Sequence, residues 1–204
     1  VSVGMAYTSG RLNFKSEIWY ADIEDYVTRM AVSPAPLIYS FRNQDAVFKG
    51  LDLQLMWKPF DEDLLKSLRM EAVFSIVKGE NKDPAKDVVE IPPWDASIGL
   101  IWERSMQYGD LSMKVSGHYV DSAKNPDPGL NPVYKDTASW FSLNANISIQ
   151  RKNWLFQLNF ENALNRLGYA YLQPPVATGP ILPAGGEWSP GDRIPLPGRS
   201  VSLQ

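Results

Sequence analysis

His118 is the single histidine of a chain that contains no cysteine. Cys/His zinc sites, thiol nucleophiles and Ser-His-Asp triads therefore find almost no residues to build on. The Asp61 to Asp63 cluster reads as a solubilising turn rather than a cation site. Asn125 to Gly129, "NPDPG", lacks the calcium-loop pattern and reads as consecutive turns. "GPILPAGG" has no following Lys-Ser/Thr and no strand-to-helix context, so it is no phosphate loop. The sequon Asn146-Ile147-Ser148 falls in mid-strand, which argues against its use. Candidate ligand groups are those of the longer, proline- and glycine-rich loops: Tyr134, Lys135, Trp140, Tyr171, Trp188 and Arg193. Their aromatic and cationic side chains suit an anionic metal chelate or another large ligand. No catalytic set, protein-bound metal or cofactor is expected.

The elements that must position these groups are strands. Apolar and polar residues alternate with period two in one segment after another, about every twenty residues. Leu12, Phe14, Ile18 and Tyr20 alternate with Asn13, Lys15 and Glu17, and Leu51, Leu53, Leu55 and Trp57 with Asp52, Gln54 and Lys58. The same pattern runs through Leu68 to Ile76, Trp94 to Trp102, Leu111 to Tyr119, Phe141 to Ile149, Trp154 to Phe160 and Val201 to Leu203. With the opening Val1 to Thr8 run, about nine strands and no helix are expected.

A soluble sandwich also alternates, so connections and length must separate the alternatives. The apolar stripes run roughly nine to eleven residues, enough for a tilted strand to cross a bilayer. Connections alternate between short and long. Ser9-Gly10, Pro59 to Lys66, Ser105 to Gly109 and Arg151 to Asn153 are short. An open Ala31 to Pro36 region, Gly79 to Pro93, Asp121 to Asp136 and Asn165 to Pro197 are the longer set. This is the pattern of an outer-membrane barrel with short periplasmic turns and longer outer loops. With that orientation Trp57, Trp102 and Trp154 form an inner aromatic girdle, while Tyr119, Phe141 and Phe160 sit nearer the outer one. His118 falls in the polar phase and faces the lumen, as do Gln54, Asn144 and Gln157, whereas Leu51, Leu53, Leu55, Phe156, Leu158 and Phe160 face lipid.

Composition agrees with an envelope protein. A net charge of −3 gives no electrostatic case for nucleic acid. No run near twenty apolar residues encodes a transmembrane helix. The chain opens in the middle of an alternating pattern without an initiator Met, so it reads as a piece of something longer.

Several segments resemble those of TonB-dependent outer-membrane receptors. "FENALNRLGY" resembles the Asn-Leu-Phe-Asn-Lys-x-Tyr element, with Asn162, Asn165 and Tyr169 at matching positions. "PGRSVSLQ" resembles the start of the family's last strand, carried by Pro197, Gly198 and Arg199. "VFKGLDLQLMW" is similar to its Gly-x-Glu strand, with Asp52 in place of Glu, and "EIPPWDASIGLIWE" to its Ile-Pro…Gly-Leu strand. "EIWYADIEDYVT" resembles a further strand, and all five occur in family order. Two features depart from the family: the chain stops at Gln204 without a terminal aromatic residue, and no N-terminal plug is present.

The resemblance implies an all-β, antiparallel transmembrane β-barrel. Residues 1–204 would be its C-terminal portion, roughly the last nine of about twenty-two strands, with the plug domain absent. It implies a receptor in the Gram-negative outer membrane that imports a scarce solute with energy from the TonB system. Its partners would be bilayer lipid and lipopolysaccharide, TonB through the missing plug, and a small-molecule ligand. Ferric siderophore, haem, cobalamin, copper and glycan all remain open. The alternatives are a barrel enzyme, which lacks clustered Ser/His/Asp here, and a soluble β-sandwich, which predicts a closed apolar core.

Overall fold

The computed structural model describes residues 1–34, 37–60, 67–82, 85–88, 91–124, 136–169 and 196–203. Among them there is no helix. Period-two alternation produces β1 (Ser2–Thr8), β2 (Leu12–Pro34), β3 (Leu37–Trp57), β4 (Arg69–Lys82) and β5 (Ala85–Asp87). After these come β6 (Asp95–Met106), β7 (Gly109–Val120), β8 (Trp140–Arg151), β9 (Trp154–Glu161) and β10 (Ser200–Leu203). The sheet order is β1-β2-β3-β4-β6-β7-β8-β9-β10, every pair antiparallel, with the short β5 paired to the end of β4.

Register decides what this sheet is for. Residues directly opposite one another in a sheet project from the same face. One row joins Tyr7, Phe14, Leu55, Ala72, Ile98, Gly117 and Leu143 across seven strands. The adjacent row on the other face joins Ala6, Lys15, Gln54, Val73, Ser97, His118 and Ser142. A slip of one residue would exchange the faces of a whole strand. No strand slips within this band, so one face is continuously apolar and the other mostly polar.

The apolar face has no second layer against it among the described residues. Ile98 is 51% exposed, Phe156 57% and Trp154 70%, and the buried apolar cluster holds only Ala46, Phe48 and Val88. A soluble sandwich would bury these stripes against a facing sheet. That expectation fails here.

Antiparallel order puts the two sets of connections at opposite ends. The short set links β1 to β2, β3 to β4, β6 to β7 and β8 to β9. In the first of these turns, Ser9 Oγ accepts from Leu12 N–H at 3.0 Å. Gly109, at φ 142°, starts β7 where an added Cβ would stand 2.5 Å from the Gln150 carbonyl oxygen. Only glycine tolerates that combination.

The Ala31 to Pro36 region is not the open connection its two prolines imply. Pairing continues to Pro34↔Leu37, making β2 23 and β3 21 residues long, far beyond the apolar stripe. Pro34 sits at the last rung, where its missing N–H interrupts no further ladder. A bulge between Ile23 and Tyr26 leaves Asp25 at φ 54°, with its N–H donating to the Asp45 carboxylate at 3.1 Å.

Candidate functional site

The polar face at the long-connection end gathers the groups that can do chemistry. Trp140 is the first residue of β8, on the polar side of the strand, and not part of a loop. Its ring meets His118 of β7 edge-on, with centroids 5.3 Å apart. His118 Nε2 in turn donates to the Asp95 carboxylate of β6 at 3.2 Å. Gly168 also lies against the indole, where an added Cβ would come within 2.9 Å of the ring.

Below Trp140, amides line the wall. Asn146 Nδ2 donates to Asn159 Oδ1 at 2.6 Å, and Gln157 Nε2 donates to the same oxygen at 2.9 Å. Asn144 Oδ1 accepts the Asn162 N–H at 2.8 Å. A recess of about 410 Å³ opens over this wall, bounded by Lys114, Ser116, Trp140, Asn144, Asn146 and Arg166 among others. It is an aromatic-edged concavity of the size that small solutes use, with polar side chains set into a mostly apolar lining.

Asn162 and Asn165 hold the rim of that recess. Both adopt left-handed backbone, at φ 46° and 51°, a conformation that Asn tolerates better than most residues. The turn ends β9 at Glu161 and breaks the alternation, so Asn162 does not continue the Phe156, Leu158, Phe160 series. Its side chain is buried, donating to the Arg166 and Pro197 carbonyls at 2.8 and 3.2 Å and accepting from Arg166 N–H at 3.0 Å. Asn165 Oδ1 accepts from Arg199 N–H at 3.1 Å. Together with the Leu196 N–H to Gly168 carbonyl bond at 2.8 Å, they clasp the two ends of the long β9–β10 connection.

Elsewhere the polar face carries a ladder of charges. Arg69 donates two prongs to Glu103 at 2.8 and 3.1 Å, and Lys114 reaches Glu71 at 3.4 Å. Asp52 accepts from Trp19 Nε1 at 3.1 Å and from Ser75 Oγ at 2.7 Å. Trp19 falls on the polar phase, and its ring lies over Gly50, where a Cβ would come within 2.4 Å of it. Toward the same end as Trp140, Val88 and Ile91 fold back over Phe48. Outside the apolar band, the hydrogen bond from Lys82 to Asp22, 2.6 Å long, raises the lysine's pKa above its ordinary value. Among the described residues no group of three or more His, Cys, Asp or Glu could hold a metal ion.

Of the six sequence-derived candidates, the described structure includes Trp140 alone. Tyr134, Lys135, Tyr171, Trp188 and Arg193 lie outside the described residues. Sequence reading did not single out Lys114, Asn159, Arg166 or the Trp19–Asp52 pair as site residues. For Lys114, Asn159 and the Trp19–Asp52 pair the signal is register, since each becomes a neighbour only once strands are aligned, whereas Arg166 is held by its local turn to Asn162. The inner Trp57, Trp102 and Trp154 do fall on the apolar face at the short-turn end. Tyr119 pairs with Phe141 toward the other end, whereas Phe160 pairs with Ala145, four residues further in along β8.

Residues 1–163 of the 204 match the family described as TonB dependent receptor-like, beta-barrel. Among solved structures, the copper transporter OprC aligns with TM-score 0.81 at 16% identity, covering 98% of this chain and 29% of that one. The FrpB iron transporter from Neisseria meningitidis (F3-3 variant) aligns with TM-score 0.66 at 14% identity, over 99% of this chain and 30% of that one. BauA, the ferric preacinetobactin receptor from Acinetobacter baumannii, gives 0.64 at 15%, over 99% and 28%. The chain thus spans under a third of the length of these structures, matching the C-terminal part of their barrels. No curated protein matches the chain. The continuous two-faced sheet and the match over most of its length lead to one conclusion: the chain belongs to the TonB-dependent receptor β-barrel family.

Proposed function

We propose that residues 1–204 form the C-terminal part of the wall of an outer-membrane receptor that binds a scarce solute at its outer mouth. The solute is a metal ion or metal chelate, and import draws on TonB through a plug outside this chain. The observation that carries this reading is the sheet's two faces: an uncovered apolar face for lipid, and a polar face with a recess at the long-connection end. The similar structures, a copper transporter, an iron transporter and a ferric preacinetobactin receptor, support the solute class. The family is one of receptors, so no bond chemistry is assigned to the wall. Trp140, with Tyr134, Lys135, Tyr171, Trp188 and Arg193, is the proposed set of ligand contacts.

The test compares two variants of the full-length receptor, each confirmed as folded in the membrane. One shortens the segment 173–197, and the other carries Asp61→Asn and Asp63→Ser. Titration with Cu²⁺, a ferric hydroxamate and a ferric catecholate should show saturable binding of one of them. The shortened loop should weaken that binding by about tenfold or more, equivalent to ~1.4 kcal/mol, and the turn variant should leave it unchanged. Uptake of that solute should stop when the proton-motive force is collapsed. Loss confined to the turn variant would mean that the barrel is oriented the other way. No saturable binding of any probe would end the metal-chelate reading.

A further inference from the structure

The apolar stripe ends in the same row on three adjacent strands. Ile18, Leu51 and Ile76 stand opposite one another, and the next residues on that face, one step toward the long connections, are Tyr20, Lys49 and Lys78. Lys49 and Lys78 are direct cross-strand partners, and both are exposed. Opposed positions have Cβ atoms roughly 5 Å apart, and like charges there destabilise the pairing. At the edge of a low-dielectric layer the repulsion grows.

No direct contact in the protein offsets it among the described residues. Neither lysine makes an ion pair or hydrogen bond with a described residue. The nearby Asp22 is engaged by Lys82 at 2.6 Å. Glu80 projects from the same face one step beyond Lys78, about 7 Å along the strand. The aromatic group Phe74–Trp94–Tyr119, with centroid separations of 5.7 and 5.0 Å, continues this boundary to the side of Lys78. Aromatic rings of this kind sit at headgroup depth, and lysines there extend their ammonium groups toward the interface.

We propose that Lys49 and Lys78 together form a binding site for the phosphate of a membrane-lipid headgroup, with Tyr20 flanking it. The inference rests on the barrel-wall reading above. A phosphate between the two ammonium groups converts their repulsion into two charge-assisted contacts. The lipid's acyl chains would then lie along Ile18, Leu51 and Ile76, the part of the contact that a free phosphate lacks.

The experiment uses the full-length receptor in detergent, with lipid A as the probe and native mass spectrometry as the readout. Wild type, K49Q/K78Q and K49R/K78R are first checked for insertion into lipid nanodiscs. Wild type should bind lipid A roughly thirtyfold more tightly than K49Q/K78Q, each lysine near an anionic headgroup contributing about a factor of five. K49R/K78R should stay close to wild type, and dephosphorylated lipid A should bind wild type as weakly as lipid A binds the glutamine variant. Equal affinity of wild type and K49Q/K78Q for lipid A would overturn the proposal. So would displacement by inorganic phosphate at the concentration of bound lipid A, which would identify a soluble-phosphate site instead. Failure of wild type to enter nanodiscs would overturn the barrel reading and this proposal with it, whereas insertion with equal affinities would overturn this proposal alone.

Discussion

Ile98→Arg is expected to destabilise the folded receptor in a bilayer by about 2–4 kcal/mol, the cost of an arginine on the lipid face at mid-depth. Ile98 is the middle member of the Trp94, Ala96, Ile98, Leu100, Trp102 stripe, and it is 51% exposed with no protein layer over it. The next residue along the chain supplies the control. Ser97 projects from the opposite face in a row with Gln54 and His118, so Ser97→Arg places its guanidinium among polar groups. Its expected cost is within roughly 0.5 kcal/mol, as for ordinary surface changes. Reversible urea unfolding in lipid vesicles measures both. Similar costs for the two variants would remove the distinction between the faces on which the receptor reading rests.

Asn162→Ala is expected to release the ends of the β9–β10 connection while leaving the sheet intact. The substitution removes three side-chain hydrogen bonds of a buried residue, worth about 0.5–1.5 kcal/mol each. It also puts a residue other than Asn or Gly at φ 46°, adding roughly 1 kcal/mol. The summed local cost is about 2.5–5.5 kcal/mol. Hydrogen exchange at the amides of Arg166, Leu196 and Arg199 should accelerate by two orders of magnitude or more, with β7 and β8 amides unchanged. Asn162→Gly separates the causes, since it keeps the backbone conformation and loses the bonds. If Asn162→Gly exchanges like the native protein, the side-chain clasp is not what holds the connection, and strain alone explains the alanine variant.

Strand phase was legible because alternation in a two-faced sheet follows from the pleat itself. Leu53, Ile98 and Ile147 sit where their spacing puts them, and the neutral Ser142, Asn144, Asn146 and Ser148 series lies together on the polar face. The β2–β3 extension was not legible, because Pro34 and Pro36 read as breaks while the last rung of a hairpin admits proline without loss. Trp140 was placed in a loop for a related reason: Asp136 to Ser139 gives no periodic signal, so the strand start could not be located from one side. Past Phe160 the phase was no longer legible, because a single left-handed residue, Asn162, cancels strict alternation. Pairs such as His118 with Asp95, or Trp19 with Asp52, depend on alignments between strands 23 and 33 residues apart in sequence. Nothing local encodes those distances.

Whether one face of this sheet meets lipid and the other the barrel interior is open to one direct measurement. This chain has no cysteine, so single cysteines can be introduced at Leu53, Ile98 and Phe156 and at Gln54, Asn144 and Gln157. Each would be spin-labelled in an otherwise cysteine-free full-length receptor in vesicles, and its collision rates with oxygen and with a water-soluble nickel chelate compared. The first three labels should collide preferentially with oxygen dissolved in the bilayer, and the last three should be shielded from it. Oxygen preference at Gln54, Asn144 and Gln157, or no difference between the two sets, would contradict it.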